Sequence, residues 1–281
     1  MLNKLIKHEW KETWKIPSLS CLVLIVATCI CALCLMRMEP PAVENAINMG
    51  ALLLTTLYSM MVSCATILIL IYFGIRFYRN LYTDEGYLMH TLPVTPRQLI
   101  LSKTLVASLW YFICSLLTVW FVIIIFSFCL PVIALDGPEL TLDWLMANSN
   151  SLFGMSLPAF LVYYLLISAV SAFSNALILY GAVSLGQLFS KHKVMASILC
   201  YIGFSMLIQT VTSFAMTPYL TKMILTERVS GELARSTAGV PEFMGVFIRG
   251  TLLVALLGSL LAAVGAYILT EYMMNKQLNL D

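Results

Sequence analysis

Six long apolar runs separated by short polar stretches make up most of this chain. They fall at about 18–36, 50–75, 104–130, 152–189, 194–216 and 246–270, and each supplies the ~20 residues that a helix needs to cross a bilayer. The fourth run is too long for one straight crossing. At ~1.5 Å per residue its length is about 57 Å, so it must tilt, kink or project, and Pro158 offers a break near its outer end. Splitting it into two spans leaves almost nothing for a turn and puts Lys191 and Lys193 on the outer side, so six spans are expected. Ahead of the first run, Leu2, Leu5, Ile6, Trp10 and Trp14 recur at helical spacing, while Lys4, Lys7, His8, Lys11, Glu12 and Lys15 fill the other face. Tryptophan on one side and lysine on the other describe an amphipathic helix lying in the membrane interface, which Pro17 is expected to end.

Composition agrees with this pattern. Of 281 residues, 60% are hydrophobic and 11% charged, against about 25% charged in a soluble domain. The expected fold class is an all-α integral membrane protein with six transmembrane helices in a single transmembrane domain, 1–281. Orientation follows from the placement of the sixteen Lys and Arg residues. With the N-terminus inside, Lys4, Lys7, Lys11, Lys15, Arg76, Arg79, Arg97, Lys103, Lys191, Lys193 and Lys276 are cytoplasmic. Arg37, Lys222, Arg228, Arg235 and Arg249 remain outside, and the 131–151 loop carries Asp136, Glu139 and Asp143 with no cation. The positive-inside rule therefore puts both termini in the cytoplasm. The net charge of +2 gives no indication of nucleic acid.

Candidate chemistry is sparse. All eight cysteines lie in apolar runs, and Cys31 and Cys34 have C-x-x-C spacing with no His, Asp or Glu nearby, so they read as small hydrophobes. No ionisable residue is placed in the interior of a span, where ion-coupled carriers usually keep one despite a cost of ~2.5–3.5 kcal/mol or more. His8, His90 and His192 all fall in segments expected to be cytoplasmic. There is no H-E-x-x-H and no G-x-x-x-x-G-K-[ST] phosphate loop, so an enzyme is not expected and nucleotide-driven work must come from another polypeptide. Thr55, Ser59, Ser63 and Thr66 share one helix face, Ser205, Gln209 and Thr212 another, and Asn175 sits in the fourth run. They are candidates for a translocation path, against the plainer expectation that they bond between helices or to their own backbone. Gly258, Ala262 and Ala266, with Ala255, Ser259 and Ala263, form small-residue faces suited to close packing.

The longest polar interruption on the expected cytoplasmic side is 76–103. Arg76 to Tyr82 extends the second helix, and Thr95-Pro96-Arg97-Gln98 is a capping box with proline at the first helical position. Between them Thr83 can cap a short helix whose first turn carries Asp84 and Glu85, the sign that the helix dipole favours. Tyr87, Leu88, Met89 and Leu92 are apolar residues in a loop, and they need a cover such as headgroups, the protein's own helix ends or a partner's groove.

The segment YRNLYTDEGYLMHTLPVTPRQLILSK, ending at Lys103, resembles the loop between the second and third spans of ABC-2 type transporter permeases, especially the small six-span permeases of Firmicutes. Residues Tyr180 to Lys193, YGAVSLGQLFSKHK, are similar to the end of the fourth span and the following turn in that family. The resemblance implies two permease chains, identical or related, each docking a separate ATP-binding subunit that holds ATP and magnesium. It makes 84–92 the coupling helix, so that Asp84, Glu85, Gly86, Tyr87, Leu88, Met89, His90 and Leu92, with Arg97 beside them, meet the ATPase. The 188–194 turn, with Lys191 and Lys193, is a smaller second contact. It implies a multi-pass protein of the bacterial cytoplasmic membrane that exports an amphiphilic drug, antimicrobial peptide or lipid-like substrate. The alternatives are a carrier or channel driven by an ion gradient and a non-transporting sensor or scaffold subunit.

Overall fold

The computed structural model describes residues 2–37, 44–83, 96–133, 146, 149–150, 153–189, 192–233 and 242–276. Seven helices occupy the described residues, and no strand is present among them: α1 Leu2–Thr13, α2 Lys15–Arg37, α3 Glu44–Tyr82, α4 Pro96–Ile133, α5 Leu157–Gly186, α6 Lys193–Leu233 and α7 Glu242–Lys276. All but α1 are long and apolar enough to cross a membrane, the pattern of a multi-pass membrane protein. The chain divides into two compact units, Met1–Glu139 with Met274–Asp281, and Leu140–Met273.

In the first unit α2 packs on both α3 and α4, and α1 lies along α4. The break between α1 and α2 falls at Trp14 and not at Pro17, and helical bonding barely lapses there. Trp14 N–H donates to the Trp10 carbonyl at 3.1 Å and Ser18 N–H to the Trp14 carbonyl at 3.0 Å. Pro17 then sits in the first turn of α2, where a missing N–H costs nothing because the first-turn N–H groups have no partner inside the helix. The buried stripe of α3 repeats every four residues through Ile69, Phe73, Phe77 and Leu81. Nearer the start of α3, Tyr58 is buried against Ala27 and Cys31 of α2. Thr28 Oγ1–H donates to the Leu24 carbonyl at 2.7 Å, so the Tyr58 hydroxyl donates to Thr28 Oγ1, at 3.0 Å. That bond lets a phenol sit in an apolar seam without an unpaired proton.

In the second unit the fourth apolar run resolves its excess length by starting late. Gly154 has φ +69°, Ser156 is extended, and α5 begins at Leu157 with Pro158 in its first turn. The helix then has 30 residues, about 45 Å at 1.5 Å per residue. Every residue from Ala176 to Ser184 is buried, as expected of a segment apolar all round. A short turn leads into α6, and a Cβ on Gly186 would lie 2.7 Å from both the N and Cα of Ser197, so only glycine permits this approach. α6 does not stop near residue 216. It continues through Pro218 to Leu233, and so takes up part of the segment expected to be an outer loop. Pro218 removes the N–H that would reach the Phe214 carbonyl, and the Thr hydroxyls around it bond back along the helix, Thr217 to the Ser213 carbonyl at 3.3 Å and Thr221 to the Pro218 carbonyl at 3.0 Å. The small-residue face of α7 packs within the chain: a Cβ on Gly258 would meet Thr212 of α6 at 3.1 Å, and one on Gly181 of α5 would meet Thr270 Oγ1 at 3.4 Å.

Candidate functional site

The two ends of the 76–103 stretch are joined through α1. Arg76, in the last two turns of α3, and Lys103, in the third turn of α4, both reach Glu9, whose side chain is 4% exposed. Lys103 Nζ donates to Glu9 Oε1, and Arg76 Nη2 donates to Glu9 Oε2 at 3.3 Å and also to Glu12 Oε2. Two cations and two carboxylates form this group, so it is neutral as a whole. Lys103 is itself 4% exposed and Arg76 19%, whereas Glu12 is 45% exposed and also faces His8 Nδ1 at 3.6 Å.

The sequence places Arg76 and Lys103 only as cytoplasmic cations at the two ends of the stretch. Both are bound inside the fold, where they neutralise the buried Glu9 carboxylate. The polar face assigned to α1 also omits Glu9, which matters most. Leu5, Glu9 and Thr13 recur at i, i+4 and i+8, and the side of α1 that carries Glu9 and Thr13 is buried, while Trp14 is half exposed. The Thr13 hydroxyl donates to the Glu9 carbonyl at 2.7 Å. Trp10 stacks on Trp110 of α4, with ring centroids 5.0 Å apart and planes 9° apart. The signal in the sequence was a single carboxylate on the same side as Leu5 and Ile6, in a chain with lone cations at the ends of two apolar runs.

Of the residues expected to meet an ATPase, Asp84, Glu85, Gly86, Tyr87, Leu88, Met89, His90, Leu92 and Lys191 lie outside the described residues. Arg97 is exposed in the first turn of α4, and Lys193 is exposed at the start of α6, beside the exposed Leu188 and Phe189 of the preceding turn. The candidate path residues are bonded to their own helices. Ser59, Ser63 and Thr66 donate to the carbonyls of Thr56, Ser59 and Val62, each at 2.8 Å. Thr55 is half-buried on the same helix. In the second unit Asn175 Nδ2 donates to the Ser171 carbonyl at 3.0 Å, Ser205 to Tyr201 at 2.8 Å and Thr212 to Ile208 at 2.9 Å. This is the back-bonding expected of short polar side chains in apolar helices. Gln209 differs in lining a recess of about 300 Å³ with Thr210, Ser213, Phe214 and Thr217. No group of three or more His, Cys, Asp or Glu able to hold a metal ion occurs among the described residues.

No family model matches this chain, and neither does any curated protein or solved structure.

Proposed function

We propose that the chain is the permease subunit of an ATP-driven exporter of the ABC-2 type, in the cytoplasmic membrane of a bacterium. Both termini face the cytoplasm, and α1 lies in the inner interface with Trp14 toward the lipid and Trp10 stacked on Trp110. A separate ATP-binding subunit, carrying ATP and magnesium, docks on the 84–92 helix and on the turn that precedes Lys193. A second permease, identical or related, covers part of the exposed apolar surface of the spans, and an amphiphilic drug, antimicrobial peptide or lipid-like molecule is moved between the two.

The observation that carries this reading is the double anchoring of the 76–103 stretch. A loop that receives force from a soluble motor must hand that force to the spans. Here Arg76, near the end of α3, and Lys103, near the start of α4, are both gripped by one carboxylate of α1. Displacement of the loop would therefore move α1, α3 and α4 together. The absence of a phosphate loop from the sequence supports a motor on another chain. The buried charges also sit near helix ends, away from the middle of the apolar runs where a coupling ion would bind. Purification in a mild detergent should bring down an ATP-binding protein with the full-length chain and lose it when 84–92 is deleted. Retention of that protein by the deletion variant would overturn the docking assignment.

A further inference from the structure

A cleft of about 560 Å³ opens between the junction of α1 and α2 and the end of α3. On the α3 side Tyr72, Ile75, Arg76 and Arg79 follow i, i+3, i+4 and i+7, one face of the helix, and across from them stand Lys11 and Lys15. Glu12 is the one carboxylate among the described lining residues, and with Glu9 it balances Arg76 and Lys103. Lys11 and Lys15 then add two positive charges to the lining. The buried Nε–H of Arg76 has no acceptor among the described residues, although both of its carboxylate partners engage the same guanidinium.

We propose that this cleft binds the phosphate headgroup of an anionic lipid. A phosphodiester fits the chemistry, since arginine and lysine at one mouth supply several N–H donors and the positive field that a phosphate needs. A free anion has the same chemistry, but position favours the lipid. The cleft lies where the apolar runs of α2 and α3 stop, which is headgroup depth, and Ile75 and the Tyr72 ring offer an apolar wall for the glycerol end of the molecule. Basic clefts between spans on the cytoplasmic side are suited to acidic headgroups in this way. The exposed Trp14 indole next to Lys15 marks the same boundary layer. The inference requires only that the spans lie in a membrane, and holds whether or not the chain docks an ATPase.

The test is thermal unfolding of delipidated full-length protein in a non-ionic detergent, titrated with phosphatidylglycerol, phosphatidylcholine or inorganic phosphate. Phosphatidylglycerol should raise the unfolding temperature saturably, and the other two should not. Replacing the cleft lysines by Lys11→Gln with Lys15→Gln should weaken the half-saturation point about thirtyfold, taking the usual contribution of a cation near an anionic surface for each. Lys4→Gln with Lys7→Gln removes the same charge from an exposed part of α1 outside the cleft and should leave the response intact. An equal loss in both double variants would show a diffuse charge effect and overturn the site. An equal response to phosphatidylcholine would overturn the charge recognition, and an equal response to inorganic phosphate would overturn the lipid as ligand. If the cleft variant unfolds early without lipid, native mass spectrometry of lipid retained by Lys15→Gln alone gives the same comparison. Undiminished retention of phosphatidylglycerol there would count against the proposal.

Discussion

Glu9 holds two cations in a setting where neither carboxylate nor ammonium has water to fall back on. The Coulomb attraction of such a pair is offset by the cost of drying both ions, so the group is not a large net source of stability. Removing one member is another matter, because it strands a charge. Glu9→Gln leaves Lys103, 4% exposed, without its carboxylate, and should cost about 3–5 kcal/mol. Glu12→Gln breaks a contact that is 45% exposed on the carboxylate side and should cost no more than about 1 kcal/mol. Titration with a denaturing detergent, followed by loss of helicity, measures both. Equal small losses would mean that Glu9 is solvated and the clamp is not closed. Joint replacement, Glu9→Leu with Lys103→Met, should recover most of the stability while breaking the link from α1 to α4, since an apolar pair of similar volume often substitutes for a buried ion pair without loss.

At the scale of helices, the first unit makes a prediction that needs no functional reading. Cys21 of α2 and Cys114 of α4 lie with their sulfurs 3.6 Å apart, both buried and both free thiols. In a chain whose other cysteines are replaced by alanine or serine, a membrane-permeant oxidant should join them as a disulfide, each thiol losing one proton and one electron to the oxidant. The product is read as protection of both thiols from alkylation until reductant is added. Two freely alkylated thiols after oxidation would contradict the packing of α2 against α4. These same elements show what the sequence makes legible. Apolar runs of twenty or more residues announce themselves by length alone, so each of the six long helices was expected near its place. The ends were harder. The fifth apolar run was expected to end near residue 216, but α6 runs through Pro218 to Leu233. Pro17 looked like a helix end and proved to be part of a helix start. Glu9 was hidden for a related reason. Periodicity reveals which face of a helix is apolar, whereas the value of one charge on that face depends on what two other helices bring to it. Arg76 and Lys103 stand 67 and 94 residues from Glu9, and no local pattern connects them.

For the whole molecule, the proposed function pairs a sequence without a phosphate loop with an ATP-driven motor on another chain. In that proposal Tyr87, Leu88, Met89 and Leu92 are the apolar anchors of 84–92, and the Glu9 clamp connects the two helices that flank the segment to α1. The path of the substrate is less written into the described residues, because the hydroxyls of Ser59, Ser63 and Thr66 are turned to their own backbone carbonyls. Of the candidate path residues, Gln209 lines a recess, with Thr210, Ser213, Phe214 and Thr217. The most direct test of the proposed function is the rate of ATP hydrolysis by an ATP-binding protein that copurifies with this chain, measured in lipid vesicles with the full-length chain and with Leu88→Asp. The account predicts that Leu88→Asp abolishes the stimulation of hydrolysis while the permease still unfolds at the temperature of the parent chain. An unchanged rate of stimulated hydrolysis in Leu88→Asp and after deletion of 84–92 would contradict it.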